Sequence, residues 1–305
     1  MPCSYHVLRF SPTIESMSSG RAKLLRAAFT VCFLAAGALA QQIPPAPLAK
    51  NARILLLPRK MISGDRATVA VLDVNGRLTP GATIAFSNGD RVTTDATGRG
   101  LFVAPLTSGT LYATLQGRPG RVQTQVVPAE QSKSRSTTQV LQAPHFASLT
   151  DRFELLGHGF CGDADRNTVQ INGRQALVLA SSPEALTVLP PAELEPGPAD
   201  VSISCAKGEA GWTRVIFLAL SLEADSSPLR PGEKRTLSVK IEGTTERVML
   251  EARNLAPEVA ELAGGASARA TSSGGSANAA IFPLTGKARG NILVSIRLLP
   301  GAVKP

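Results

Sequence analysis

In Pro196-Gly197-Pro198-Ala199-Asp200-Val201-Ser202-Ile203-Ser204-Cys205, apolar and small polar residues alternate towards the C-terminal end. Val201, Ile203 and Cys205 share one face and Ser202 and Ser204 the other, the period-two pattern of a strand with a single buried side. Cys205 is then expected to point inward, where a second cysteine can meet it. The alternation recurs downstream, with Leu237, Val239 and Ile241 set against Ser238, Lys240 and Glu242. It returns once more with Ile292, Val294, Ile296 and Leu298 set against Leu293, Ser295, Arg297 and Leu299. Both read as half-buried antiparallel strands.

Upstream, Ile54 to Val127 consists of short apolar runs, broken by turn signals roughly every eight to twelve residues, the cadence of a β-sandwich. Asn75-Gly76, Pro80-Gly81 and Asn88-Gly89 supply the positive or fixed φ that such turns need. The segment Thr93-Thr94-Asp95-Ala96-Thr97-Gly98-Arg99-Gly100-Leu101-Phe102-Val103 resembles a strand pair of bacterial Ig-like domains of the Big-1 type, and also of carboxypeptidase-regulatory-like modules. Gly98 would permit a tight reversal. Leu101 and Val103 are expected on one face, in the core.

Between these parts lie Pro144-His145-Phe146, the run Phe153-Glu154-Leu155-Leu156-Gly157-His158-Gly159-Phe160, and Asn167-Thr168-Val169-Gln170-Ile171-Asn172-Gly173. Val178 to Leu189, followed by Pro190-Pro191, leads on to the strand quoted first. Together these are similar to the IPT/TIG family of immunoglobulin-like folds, over essentially the whole module. Cys161-Gly162-Asp163-Ala164-Asp165 replaces the family's usual glycines and serines, a loop difference that leaves the fold intact.

The chain is therefore expected to be all-β, built of tandem immunoglobulin-like β-sandwiches. The expected modules are a bacterial Ig-like sandwich at 51–128, an IPT/TIG-like one at 143–221 and a third at 222–305, the last starting after Ser226-Ser227-Pro228. Linkers are expected at 41–50 and at the polar stretch 129–142. Ala263 to Ala280, rich in Gly, Ala and Ser, is expected to be a long flexible hairpin loop or a poorly ordered connection.

A chain of 305 residues has room for two or three such domains. Arg21, Lys23 and Arg26, the apolar run Ala27 to Gly37 and the small-x-small Ala38-Leu39-Ala40 form a signal-peptide pattern, with residues 1–16 as an upstream extension. Cleavage is expected after Ala40. The apolar run is shorter than the ~20 residues of a membrane span, so no span is expected in the mature chain. Cys32 sits mid-segment, which argues against lipid anchoring. Removal of 1–40 leaves 28 basic and 22 acidic residues, a net charge of +6, scattered along the chain. Only Cys161 and Cys205 remain, and an even pair in an oxidising compartment reads as one disulfide.

Catalytic and cofactor patterns fail on context. Gly157-His158-Gly159-Phe160-Cys161-Gly162 has the letters of a dinucleotide turn, but no helix follows to receive a pyrophosphate. Asp163, Asp165 and Asn167 imitate the start of a calcium loop, yet Thr168 stands where its glycine is needed and Arg174 where its glutamate is needed. A solvated turn is expected there, with a loose surface cation site as the alternative. His145 and His158 have no ligand at zinc spacing; His158 is expected to be an exposed loop residue. Ser272-Ser273-Gly274-Gly275-Ser276 has no nearby base, and Glu193 and Glu195 are expected to be solvated turn residues.

No catalytic, cofactor or metal residues are assigned, and no cofactor is expected. The expected protein is a non-enzymatic exported scaffold, adhesion or recognition module, secreted, periplasmic or on the cell surface. IPT/TIG and bacterial Ig-like modules commonly occur in such proteins. Its expected partner is a protein or polysaccharide of the cell envelope or extracellular matrix. Some eukaryotic transcription factors carry IPT/TIG folds, but the signal peptide argues against nucleic acid. The alternative is a polysaccharide-binding accessory protein. The shortage of aromatics, with a single Trp212, argues against strong sugar stacking, so Trp212→Ala is expected to leave glycan binding unchanged.

Overall fold

The computed structural model describes residues 53–116, 120–129, 137–206, 208–223, 229–288 and 292–299. The signal-peptide pattern, the 41–50 linker, residues 130–136 of the second linker and Ser226-Ser227-Pro228 lie outside the described residues. Those described form twenty-three strands with no α-helix among them. The fold is all-β and immunoglobulin-like, with three main hydrophobic cores, each closed between two sheets.

The first core lies between two groups of strands. On one side, β3 (Arg66–Leu72) pairs with β1 (Ile54–Leu56) and β6 (Arg99–Val103). On the other is a five-stranded sheet of β2 (Lys60–Ile62), β8 (Val122–Val127), β7 (Gly109–Leu115), β4 (Thr83–Phe86) and β5 (Arg91–Thr93), in that order. Phe86 and Phe102 stack across the gap, centroids 4.4 Å apart.

The expected inward placement of Leu101 and Val103 is corrected. Both are exposed, while Gly100 and Phe102 face inward. Val92 lies where a methyl on Gly100 would go, so the inward face carries a glycine and the apolar alternation is carried by the outward one. Gly98 does make the tight reversal, with φ +74°, and its missing Cβ leaves room for the backbone of Leu78 and Thr79.

The second core has on one side β14 (Leu177–Ser182), β15 (Ala185–Leu189), β11 (Phe153–His158) and β9 (Gln139–Gln142). Opposite are β13 (Arg174–Gln175), β12 (Asn167–Ile171), β16 (Gly197–Cys205), β17 (Gly211–Glu223) and the parallel β10 (Phe146–Ser148). Ala199, Val201 and Ile203 of β16 are buried and Cys205 is half-buried. The third core lies between β17, β18 (Lys234–Glu242), β22 (Ala279–Gly286) and β20 (Ala260–Leu262) on one side, and β21 (Ser267–Thr271), β19 (Met249–Asn254) and β23 (Val294–Leu298) on the other. Leu237, Val239 and Ile241 are inward, as are Val294 and Ile296.

The expected flexible loop at 263–280 is also corrected. It contains β21, paired with β19 over five residues, and a turn fixed by buried side chains. Asn278, 2% exposed, donates to the carbonyls of Thr244 and Glu246 and accepts from the amide of Gly274. The buried Ser272 hydroxyl accepts from the amide of Val248. Small polar side chains satisfy the turn's backbone groups, which keeps the burial inexpensive.

The cores are not separate beads. Strand β17 runs thirteen residues, about twice the usual length. Its odd residues Val215 and Phe217 fill the second core, and its even residues Leu218, Leu220 and Leu222 contact the third. At the other junction β3 is buried on both faces. Ala67, Val69 and Val71 enter the first core, while Ala70 and Leu72 join Leu56, Leu179 and Ala180 in a small cluster against β14. Thr68 and Ser181 are register partners there, so one sheet crosses the junction.

Candidate recognition surface

Cys161 and Cys205 form a disulfide. It ties the end of β16 to the loop after β11, and Asn167, 5% exposed, locks that loop. Its side-chain oxygen accepts from the Cys161 amide while its nitrogen donates to the carbonyls of Cys161 and Asp163. Asp163 caps a single 3-10 turn, Ala164–Arg166, by accepting from the Asp165 amide. The Asp165 carboxylate is engaged by Arg99 from the first sandwich at 2.6 Å, and the same guanidinium donates to the carbonyl of Val178. The three oxygen-bearing side chains at 163, 165 and 167 are thus turned to protein groups. Among the described residues no three His, Cys, Asp or Glu side chains gather as a metal site.

Gly157 and Gly159 serve close packing, because a methyl on either would run into the backbone of 137–139. His158 is corrected from an exposed loop residue to the half-buried end of β11, with Nδ1 3.7 Å from Glu184. Glu184 is 4% exposed and holds Lys60 of the first sandwich at 3.0 Å. This cluster belongs to the junction. Glu193 is exposed and pairs with Arg174, whose guanidinium also donates to the Glu193 carbonyl. His145 is exposed, 3.2 Å from Glu246.

The outward face of β12, β16 and β17 presents a different chemistry. Cross-strand partners share a face, so one row runs Trp212, Ser202, Gln170, Gln175 across four strands. The next row joins Arg214 to Asp200 by a 2.9 Å ion pair, and the Asp200 amide donates to the side chain of Asn172. The Arg214 hydrogen bond and charge hold the Asp200 carboxyl below the usual aspartate range, and Asp200 in turn raises Arg214. The third row is Pro198 and Ile216. There the face enters an open cleft of about 630 Å³ beneath loops of the third sandwich, including Gly243 to Glu246 and Gly275 to Ser276.

The cleft follows from β17. Its even face points to solvent at Trp212 and Arg214 and supplies the third core from Leu218 onward. The third sandwich must therefore rise on the side where Trp212 lies. Trp212 is 67% exposed. Composition showed a single tryptophan; its place out of step with the apolar Val215 and Phe217 was the signal that could have put it on an outward face.

No protein-family model matches the chain, and no curated protein matches its sequence. Among solved structures it is similar to SGBP-B of the Bacteroides ovatus mixed-linkage glucan utilization locus, in complex with a mixed-linkage heptasaccharide. That match has 14% identity and a TM-score of 0.33, covering 81% of this chain and 73% of that one. It is also similar to Sidekick-1 immunoglobulin domains 1-4, at 10% identity and a TM-score of 0.26, covering 77% and 76%. The fibronectin(III)-like modules of Clostridium thermocellum CbhA match at 12% identity and a TM-score of 0.18, covering 54% and 94%. These likenesses concern the fold, tandem immunoglobulin-like architecture, and no more.

Proposed function

We propose that the protein is an exported, non-enzymatic recognition scaffold acting at the cell surface or in the extracellular space. The division into modules at 51–128, 143–221 and 222–305, with an IPT/TIG-like central one, belongs to this proposal. One observation carries it: β17 contributes to two cores and fixes the third sandwich over an outward face, so the fold holds a surface in place. The Cys161–Cys205 disulfide suits an oxidising compartment, and the pattern at 21–40 would direct the chain there. No helix among the described residues is long and apolar enough to cross a membrane.

The expected outcome is saturable retention of residues 41–305 on envelope or extracellular-polymer fractions, with no turnover of generic glycan, ester or peptide substrates. Turnover by the purified chain, or the same retention by an unrelated basic protein of equal charge, would sink the reading. A polysaccharide-binding accessory role is the second reading, favoured by the exposed indole of Trp212.

A further inference from the structure

The outward rows of β12, β16 and β17 and the cleft they enter form one continuous surface. We propose that it binds an extended, uncharged polysaccharide chain, with Trp212 as the stacking platform. This rests on the reading of the protein as a recognition module.

Chemistry selects the ligand. A pyranose ring offers an apolar C–H face and a rim of hydroxyls. The indole face takes the first, and the amides of Gln170 and Gln175 with the hydroxyl of Ser202 can donate to and accept from the second. These groups stand on hydrogen-bonded strands, so little side-chain and no loop ordering opposes binding. Along β17, Trp212, Arg214 and Ile216 are two residues apart, about 6.8 Å per step, so indole and cleft lie along one line and suit a chain longer than a single sugar.

Charge excludes the polyanion that the basic composition would suggest. On this face Arg214 is matched by Asp200, and around the cleft Lys240 is matched by Glu242 at 2.7 Å and His145 faces Glu246. What remains is uncharged amide and hydroxyl. A protein partner needs an apolar interface core, and one indole separated by the Arg214–Asp200 pair from Pro198 and the half-buried Ile216 does not supply it.

The chain has one tryptophan, so emission excited at wavelengths that tyrosine does not absorb reports this site alone. The full chain would be titrated with a soluble β-glucan, a galactomannan and dextran, with alginate as the anionic control. The expected result is a saturable blue shift and protection from acrylamide quenching with at least one neutral polymer, and neither with alginate. Against the expectation drawn from the scarcity of aromatics, the exposed indole makes Trp212→Ala a loss in affinity gels: it should weaken retention by about tenfold or more, and Trp212→Phe should restore part of it, with unchanged unfolding midpoints. If a neutral polymer is retained while emission stays constant and Trp212→Ala binds equally, the surface is wrong and the recognition reading stands. If no neutral polymer alters the emission, the proposal fails, and retention on envelope fractions decides the wider reading separately.

Discussion

The hydroxyl of Thr68 donates to the carbonyl of Gly162 at 2.9 Å, joining residues ninety-four apart in sequence. The same hydroxyl oxygen accepts from the amide of Ala164 at 2.9 Å, so one threonine stitches the first sandwich to the loop that follows the Cys161 disulfide. Replacing it by the isosteric valine leaves the Ala164 amide buried without its acceptor. Thr68→Val should cost about 1–3 kcal/mol, read as an earlier first transition in urea. Gly162→Ala should act more strongly, since its methyl would meet the Arg66 carbonyl. Small-angle scattering should then show a longer particle with strand content unchanged by circular dichroism.

The disulfide closes a separation of 44 residues. On the chain-entropy account its loss removes roughly 4 kcal/mol. Calorimetry of Cys161→Ser with Cys205→Ser should show a lower melting temperature, and adding reductant to the native chain should lower it similarly. Free thiols at both positions on non-reducing peptide mapping would contradict the bond.

Asp95 contributes to the acid sensitivity of the fold. Hydrogen bonds from the Thr97 hydroxyl first, then from the Thr97 and Arg99 amides, with the Arg99 charge, hold its carboxyl below the ordinary aspartate value of 3.8. A depressed folded value stabilises fully above the unfolded value and is lost as pH falls through the folded one. Stability should therefore be insensitive to this group above about pH 5 and should fall below pH 3.8, in denaturant midpoints taken at successive pH values. Asp95→Asn should flatten that part of the curve. Asp65, raised by desolvation, works in the opposite sense: it stabilises most when protonated and loses that contribution as pH rises through its folded value.

The turn at Asn278 should be ordered. Amide exchange at Gly274 should be slow, because its N–H is held by the Asn278 side chain, and Asn278→Ala should release Gly274 and the adjoining end of β21. Fast exchange at Gly274 in the native chain would reinstate a loose loop.

Alternation made β16, β18 and β23 legible because each has one wet and one dry face. It misled at β6, where Gly100 occupies an inward place and exposed Leu101 and Val103 imitate a core stripe. At β3 the unbroken run Ala67 to Leu72, varied only by Thr68, is what a strand buried on both sides looks like; besides Leu56, its second face is covered by Leu179 and Ala180, more than a hundred residues away. The Ser- and Gly-rich stretch before β22 gave no apolar signal because its order comes from hydrogen bonds of Ser272 and Asn278. Trp212 could be counted in the sequence, but its neighbours across the sheet could not, since they depend on registers set by other strands.

Residue-resolved hydrogen exchange through Gly211 to Glu223 reads whether β17 is one continuous element of both cores. If β17 belongs to two cores, protection should continue without a break from Val215 through Phe217 and Leu218 to Leu222, all lost together at the same denaturant concentration. A fast-exchanging gap at Leu218 and Ala219, with the two halves released separately, would contradict a single scaffold holding the Trp212 face beneath the third sandwich.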